Sequence, residues 1–180
     1  PLPAGQAFPM MEWGLNWCVA AHAHQYLVVH AAVIEKSGKA VMFPAPPGSG
    51  KSTLCAGLVH RGWRLLSDEL ALCDMDSGLV FGMARPINLK NRSIDVIRKF
   101  APDAILTAPV PDTAKGTVAL VRPPSNSVLR AGEPVRPNWI VLPKFSSGAA
   151  ASLERATKAD TFMLVAEQSF NYDIHGVQGF

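Results

Sequence analysis

The sequence lacks the features that mark several large protein classes. Its three cysteines, Cys18, Cys55 and Cys73, are far apart and form no Cys-x-x-Cys pair, so a disulfide scaffold is not expected. Charged residues make up 17% of the chain and the formal net charge is +3, an excess too small to indicate nucleic-acid binding. Polar residues interrupt the apolar stretch from Trp13 to Ile34, and no signal peptide precedes it, so no membrane partner is expected. These absences favour a reducing, cytoplasmic location, with each cysteine a small buried residue.

Length and composition predict one folded domain. The 180 residues include 48% hydrophobic residues, enough for a single core and too few for two ordinary domains. The first residue is Pro1 rather than Met, which indicates a trimmed chain that can lack a further N-terminal region. We therefore expect a single domain over residues 1–180, in which residues 1–25 form a lead-in and a helix.

The order of strand and helix patterns predicts an α/β fold with a mixed central sheet flanked by helices. Tyr26–Glu35 and Lys39–Phe43 are apolar runs around Ser37-Gly38 and predict a hairpin. Ser52–Arg61 has apolar residues at helical spacing, and Trp63–Leu66 predicts the next strand. Further strands are expected at 70–73, 79–81, 85–89, 116–121 and 139–142, further helices at 10–23, 94–100 and 153–170, and a loop at 101–113.

The segment Ala45–Ser52 (APPGSGKS) matches the phosphate-binding pattern G-x-x-x-x-G-K-[ST], with Ala45 in place of the first glycine. Glycines let successive backbone N–H groups point at phosphate oxygens, and the following helix adds its positive N-terminal end. Lys51 would place its charge on the β- and γ-phosphates, and the Ser52 hydroxyl would hold Mg²⁺. The competing interpretation is an ordinary glycine-rich turn leading into a helix. The expected ATP- and Mg²⁺-binding residues are Pro47, Gly48, Ser49, Gly50, Lys51, Ser52 and Thr53.

An acidic pair, Asp68-Glu69, ends the strand that follows this helix. An acid on a strand beside a phosphate-binding loop is typical of a magnesium ligand or a catalytic base. Asp68 could deprotonate an acceptor hydroxyl, and Glu69 could hold the metal or orient Asp68. The spacing does not decide between these roles, and two exposed turn carboxylates are the alternative.

Other polar residues give weaker signals for the same site. His30 lies in an apolar strand, where a core histidine is the more expected interpretation and a site residue is the alternative. Arg85 and Lys90, in the segment RPINLKN, could reach phosphate or substrate or could face solvent. Lys115 opens a predicted strand and could act in the same way.

From Tyr26 to about Asp76 the layout resembles the C-terminal catalytic domain of bacterial HPr kinase/phosphorylase, and most closely the smaller HPr-kinase-related serine kinases. The resembling residues are His30-Ala31, Gly38, Gly48–Thr53, His60-Arg61-Gly62 and Arg64–Glu69. The resemblance implies a P-loop fold similar to that of phosphoenolpyruvate carboxykinase and assembly as a homo-oligomer. It also implies transfer of the ATP γ-phosphate to a serine hydroxyl, with Asp68 as the catalytic acid or base.

Three functions follow as hypotheses. The first is an ATP-dependent kinase that acts on a hydroxyl, such as a serine, of a protein or peptide partner, with Lys51 and Asp68 as catalytic residues. The second is a P-loop NTPase that couples hydrolysis to a conformational change through Glu69. The third is a non-catalytic nucleotide-binding module. The sequence contains neither the guanine-reading Asn-Lys-x-Asp motif nor the Leu-Ser-Gly-Gly signature of transporter ATPases.

Overall fold

The computed structural model describes residues 3–179, so positions 1, 2 and 180 of the predicted single domain lie outside the described residues. The fold is α/β, with a curled mixed sheet, a smaller sheet and flanking helices. The helices are α1 (Ala7–His22), α2 (Lys51–Val59), α3 (Arg92–Phe100), α4 (Ser125–Leu129) and α5 (Lys158–Glu167), with 3-10 turns at Ala4–Gln6 and Gly176–Gly179. The strands are β1 (Leu27–Lys36), β2 (Lys39–Pro44), β3 (Arg64–Ser67), β4 (Leu70–Cys73), β5 (Val80–Phe81), β6 (Ile87–Lys90), β7 (Val110–Thr113), β8 (Gly116–Val121) and β9 (Pro137–Ile140).

The larger sheet is built around β1 and has the order β5-β4-β1-β2-β9, with β3 also paired to β1. Strand β2 forms the predicted hairpin with β1, and its register runs from Lys36 opposite Lys39 to Ala31 opposite Pro44. Strand β9 is parallel to β2, whereas the other pairs are antiparallel, so the sheet is mixed as predicted. The smaller sheet has the order β6-β8-β7.

Strand β1 is the centre of the core because both of its faces are covered. On one face, Ala32 and Ile34 pack in a cluster with Cys55 and Val59 of α2 and with residues of β6, β8 and α3. On the other face, Val29, Ala31 and Val33 pack with residues of β2, β3, β4 and β5, and Val165 of α5 lies against them. Burial on both faces explains why this strand is a continuous apolar run without alternation. Helix α2 therefore lies between the two sheets.

Several elements differ from the sequence-based expectations for a physical reason. Strand β7 lies inside the segment predicted as a loop, and its sequence Val-Pro-Asp-Thr has no apolar pattern that would reveal it. Helix α4 was not predicted, because its five residues are too few for a periodic pattern. Helix α5 begins later than predicted, because the Thr157 side chain caps it by accepting from Asp160 N. Among residues 3–179, no helix has both the length and the apolar character needed to cross a membrane.

Candidate functional site

The glycine-rich loop runs from the end of β2 to the start of α2. Ala45 is buried at its beginning, and Gly48 and Gly50 have φ angles of 88° and 91°, a conformation that residues with a β-carbon rarely adopt. A β-carbon on Gly50 would also come within 3.1 Å of the Phe145 β-carbon. Phe145 N donates to Ser49 O at 3.0 Å, so the backbone at Phe145 is hydrogen-bonded to the loop. The two glycines are thus required by the loop's shape.

Lys51 begins α2 and turns back into the loop. Its side chain is 94% buried, since its relative exposure is 6%, and Nζ donates to Ala45 O at 3.5 Å. Burial lowers the pKa of Lys51, while the charges of Glu69 and Asp68 act to raise it. Among residues 3–179, Lys51 forms no direct ion pair, so its charge is available at the centre of the loop.

The acidic pair lies across β1 from the loop. Antiparallel pairing with β1 continues through Ser67 opposite Val33, stops at Asp68 and Glu69, and resumes with Leu70 opposite His30. On its other side β1 pairs Ala31 with Pro44, the residue before the loop. The acidic pair and the loop therefore flank the middle of β1, two strand spacings or roughly 10 Å apart.

Asp68 is buried, with a relative exposure of 4%. Its Oδ2 accepts a hydrogen bond from Asn88 N of β6 at 3.1 Å. Burial, and then the charge of Glu69, raise the pKa of Asp68 to about 7, although the Asn88 N–H, Lys51 and the Ser52 side chain each act to lower it. Asp68 therefore holds a proton more readily than an ordinary aspartate. A cation bound at this carboxyl group would lower the pKa of Asp68 again.

Glu69 has the opposite character. His30 Nε2 donates to Glu69 Oε2 at 3.2 Å, and about a fifth of each side chain is exposed. Burial alone would raise the pKa of Glu69, but the His30 hydrogen bond and the charges of Lys51 and Lys115 outweigh it and lower the pKa. Glu69 is therefore ionised beside its protonation-prone neighbour. The pair does not consist of exposed turn carboxylates.

Three side-chain oxygens of the site are buried without a hydrogen-bond partner in the described part of the chain: Ser49 Oγ, Asp68 Oδ1 and Asn88 Oδ1. Buried polar atoms of native proteins nearly always have a partner, supplied by protein, water or ligand. A cavity of about 20 Å³ next to Ser67, Asp68 and Glu69 has room for one water molecule or a small cation. These oxygens can accept hydrogen bonds from water or from a polar ligand.

Two further lysines face the same region. Lys90 ends β6, and its charge lowers the pKa of both Lys51 and Lys115. For Lys115, which lies in the turn between β7 and β8, burial lowers the pKa most and Glu69 acts in the opposite direction. The charge of Lys90 thus acts on both other lysines, and Lys51 and Lys115 each act on Glu69, so positive charge gathers around the acidic pair.

Arg85, predicted from sequence as a weak phosphate or substrate ligand, is engaged by α1. Its Nη2 donates to Glu12 Oε2 at 2.5 Å and to Glu12 O at 2.7 Å, and its Nη1 donates to Asn16 Oδ1 at 2.9 Å. Glu12 is buried, so this ion pair neutralises a carboxylate that has little access to water. Arg85 therefore anchors α1 against the segment that precedes β6.

A cleft of about 430 Å³ opens between α1 and the acidic pair. The segment around Phe170 forms one wall of the cleft. Phe170 N donates to Val28 O at 2.9 Å, and the centre of the Phe170 ring lies 6.0 Å from the centre of the His30 ring. Lys115 Nζ lies 4.5 Å from the centre of the Trp13 ring, at another wall. The lining residues are Trp13, Asn16, Trp17, Ala20, Ala21, His30, Glu69, Leu70, Lys115 and Phe170.

Sequence reasoning missed Asn88 and the aromatic walls of the cleft. Asn88 carried a signal, since it is a lone amide inside an apolar strand. Trp13 and Trp17 are one helical turn apart, and Trp17 is exposed, a pattern that could have indicated a contact surface on α1. Phe170 carried no local signal. Cys18 was also expected to be buried, and it is exposed.

The site has few protein ligands for a metal ion. Within the described residues, no group of three or more His, Cys, Asp or Glu side chains could hold one. A cation here would take one or two protein oxygens and complete its shell from phosphate and water, which is the usual manner of Mg²⁺. The Ser52 hydroxyl and Asp68 Oδ1 are oxygens of the suitable type.

Comparison with known proteins corrects the family expectation. Residues 7–82 are similar to the family described as SynChlorMet cassette protein ScmC, a match that covers less than half of the chain and includes α1, the loop and the acidic pair. No curated protein matches the chain. Membership of the HPr kinase family, inferred above from resemblance, is therefore wrong, and so is the prediction of an HPr-kinase-like serine kinase. The resembling residues are short segments around a common loop, which do not distinguish one family from another.

Proposed function

We propose that this protein binds a nucleoside triphosphate, ATP being the reference ligand, together with Mg²⁺ through a P-loop at Ala45–Thr53. The observation that carries the proposal is the buried ammonium of Lys51, which forms no ion pair within residues 3–179 and lies inside a glycine loop at the start of α2. The orphaned oxygens of Ser49, Asp68 and Asn88 support it, since each could receive a hydrogen bond or a cation from the bound group.

The residues of the loop fit the chemical needs of a triphosphate. Pro46 and Pro47 have no N–H, so phosphate contacts would begin at Gly48 and continue to Thr53 at the helix start. Lys51 would place its charge on the β- and γ-phosphates. Mg²⁺ would be held by the Ser52 hydroxyl and Asp68, and it would neutralise charge between the phosphates. Glu69, bound to His30, would remain a neighbour of this metal.

The finer fold assignment is part of the same proposal. A P-loop domain similar to phosphoenolpyruvate carboxykinase is supported by three features of the chain. A hairpin strand leads into the loop, α2 packs between two sheets, and the acidic pair lies across the central strand from the loop. A cytoplasmic location stays a prediction from the sequence, and assembly as a homo-oligomer was implied only by the family resemblance.

Nucleotide hydrolysis is a second candidate, and one observation favours it. Glu69 is held ionised by His30 and Lys51 while about a fifth of its side chain is exposed. An ionised carboxylate at the border of a phosphate site can accept a proton from water. A non-catalytic nucleotide-binding module remains the simpler function, because it requires only the loop.

The test of the proposal is equilibrium binding of Mg²⁺–ATP, followed by calorimetry with and without EDTA. Wild-type protein is expected to bind, and Ser52→Ala is expected to lose most of the dependence on Mg²⁺ because the metal loses its hydroxyl ligand. Lys158→Ala, at an exposed lysine of α5, is the control and should bind normally. Release of inorganic phosphate over the same period decides between hydrolysis and binding alone. The absence of any binding by wild-type protein would refute the proposal.

A further inference from the structure

We propose that the cleft between α1 and the acidic pair is a binding site for a free α-amino acid with a large apolar side chain. The inference does not depend on nucleotide binding, because it rests on the cleft's own lining. It adds a second ligand site to this protein, adjacent to the loop and sharing the Glu69 neighbourhood with it.

The size of the cleft suits a small molecule. Its volume is about 430 Å³, near the lower end of the range of roughly 300–1,000 Å³ that is usual for ligand sites. Small residues of α1, Ala20 and Ala21, leave this space open, whereas larger side chains there would fill it. A single amino acid with a large side chain fits this volume.

Aromatic side chains supply the apolar part of the site. Trp17 is 67% exposed and Phe170 is 50% exposed, and both line the cleft together with Leu70. Aromatic rings that remain exposed at the rim of a cavity are typical of ligand sites, since covering them removes a large apolar area from water. An apolar side chain between Trp17 and Phe170 would provide that cover.

The polar groups of the cleft carry opposite charges on separate elements. Glu69 follows β3 and would accept hydrogen bonds from an ammonium group. Lys115 precedes β8, lies over the Trp13 ring at the wall of the cleft, and would bind a carboxylate.

Charge complementarity selects a zwitterion over other small ligands. A simple cation attracted to Glu69 would be repelled by Lys115, and a simple anion attracted to Lys115 would be repelled by Glu69. A molecule that carries both charges close together satisfies both residues. The α-amino acid is the small-molecule class with this pair of groups and a variable apolar side chain.

The test is calorimetric titration of the 180-residue protein, without nucleotide, with L-phenylalanine, L-phenylalanine amide and N-acetyl-L-phenylalanine. We expect L-phenylalanine to bind about tenfold or more tightly than either derivative, each of which lacks one charge. Glycine should bind more weakly than L-phenylalanine, since it lacks the apolar side chain. Equal binding of the amide would point to a peptide amino terminus, equal binding of the acetyl derivative to a simple carboxylate, and either result would overturn the proposal.

Variants locate the site and control for folding. Trp17→Ala should weaken L-phenylalanine binding about tenfold without unfolding the protein, because Trp17 is largely exposed. Lys115→Met and Glu69→Gln should weaken it similarly. Lys39→Met and Trp139→Ala are matched controls, since Lys39 also lies over a tryptophan ring, at 5.8 Å, outside the cleft. No binding at millimolar L-phenylalanine, or equal loss in the control variants, would refute the inference.

Discussion

Asp68 and Asn88 are joined by one hydrogen bond, from Asn88 N to Asp68 Oδ2 at 3.1 Å, and each side chain keeps one buried oxygen that has no partner in the described part of the chain. The bond connects the edge of the larger sheet at the acidic pair to β6 of the smaller sheet. It fixes the Asp68 carboxyl group while leaving Oδ1 free for a ligand. The position of Asp68 relative to Lys51 is therefore set by the packing of two sheets around α2.

The first prediction concerns the cost of burying Asp68. Its folded-state pKa is raised above the ordinary value of 3.8, so between the two values the folded state binds more protons than the unfolded state, and stability falls as pH rises. Asp68→Asn removes this loss of stability at high pH. It should raise the melting temperature at pH 8 by roughly 3–6 °C, which corresponds to a gain of about 1–2 kcal/mol in the free energy of unfolding. The difference should shrink toward pH 4. Thermal denaturation in EDTA measures it.

Glu69→Gln is the comparison variant for Asp68→Asn, because the pKa of Glu69 is shifted in the opposite direction. The folded-state pKa of Glu69 is lowered below its ordinary value of 4.5, so its contribution is present above that value and is lost as pH falls through the folded pKa. Glu69→Gln should therefore flatten the acid side of the profile, and it should also lower the pKa of Asp68, because the charge of Glu69 raises that pKa. A melting temperature of Asp68→Asn below that of wild type at pH 8 would contradict this account of the pair.

The shape of the loop is tested by Gly50→Ala. Gly50 has a φ angle of 91° and a β-carbon there would meet Phe145 at 3.1 Å, so the substitution should cost about 1–2 kcal/mol of nucleotide affinity or stability. Gly132→Ala is the matched control, since no atom lies within 4 Å of its added β-carbon. Binding and melting measurements on both variants are needed. Unchanged behaviour of Gly50→Ala would show that the loop does not require its left-handed residue.

Arg85→Met separates anchoring of α1 from phosphate binding. The variant leaves buried Glu12 without its ion pair, so the stability should fall by about 2–4 kcal/mol and the α1 amides should exchange faster. Amide hydrogen exchange followed by mass spectrometry resolves the effect in α1. If Arg85 instead acts as a phosphate ligand, nucleotide affinity will fall while the exchange of α1 stays at the wild-type rate.

Local patterns predicted the parts of the site that are contiguous in sequence. The hairpin, the loop from Ala45 and the acidic pair were recognisable because apolar runs, glycines and a Lys-Ser pair lie side by side in the chain. The contacts between these residues and their distant partners were not recognisable, because tertiary packing forms them. Asn88 reaches Asp68 from 20 residues away and Phe170 reaches His30 from 140 residues away. No local pattern encodes such contacts.

Arg85 was misinterpreted because its partner also lies far away in the sequence. Its neighbourhood is basic and suggested a phosphate ligand, but α1 places Glu12 against it, some 73 positions earlier in the chain. The family resemblance failed for a related reason. It rested on segments that many nucleotide-binding folds share, whereas the match to the ScmC family extends over α1 as well as the loop.

The most direct test of the central claim is calorimetric titration of Mg²⁺–ATP into wild-type protein and Lys51→Ala, with Lys158→Ala as the control. Circular dichroism establishes that each variant is folded. The account predicts saturable binding by wild type and Lys158→Ala, and a loss of about 2–4 kcal/mol or more in Lys51→Ala, because the unpaired ammonium inside the loop is removed. Equal affinity of Lys51→Ala and wild type, or no binding by wild type, would contradict it.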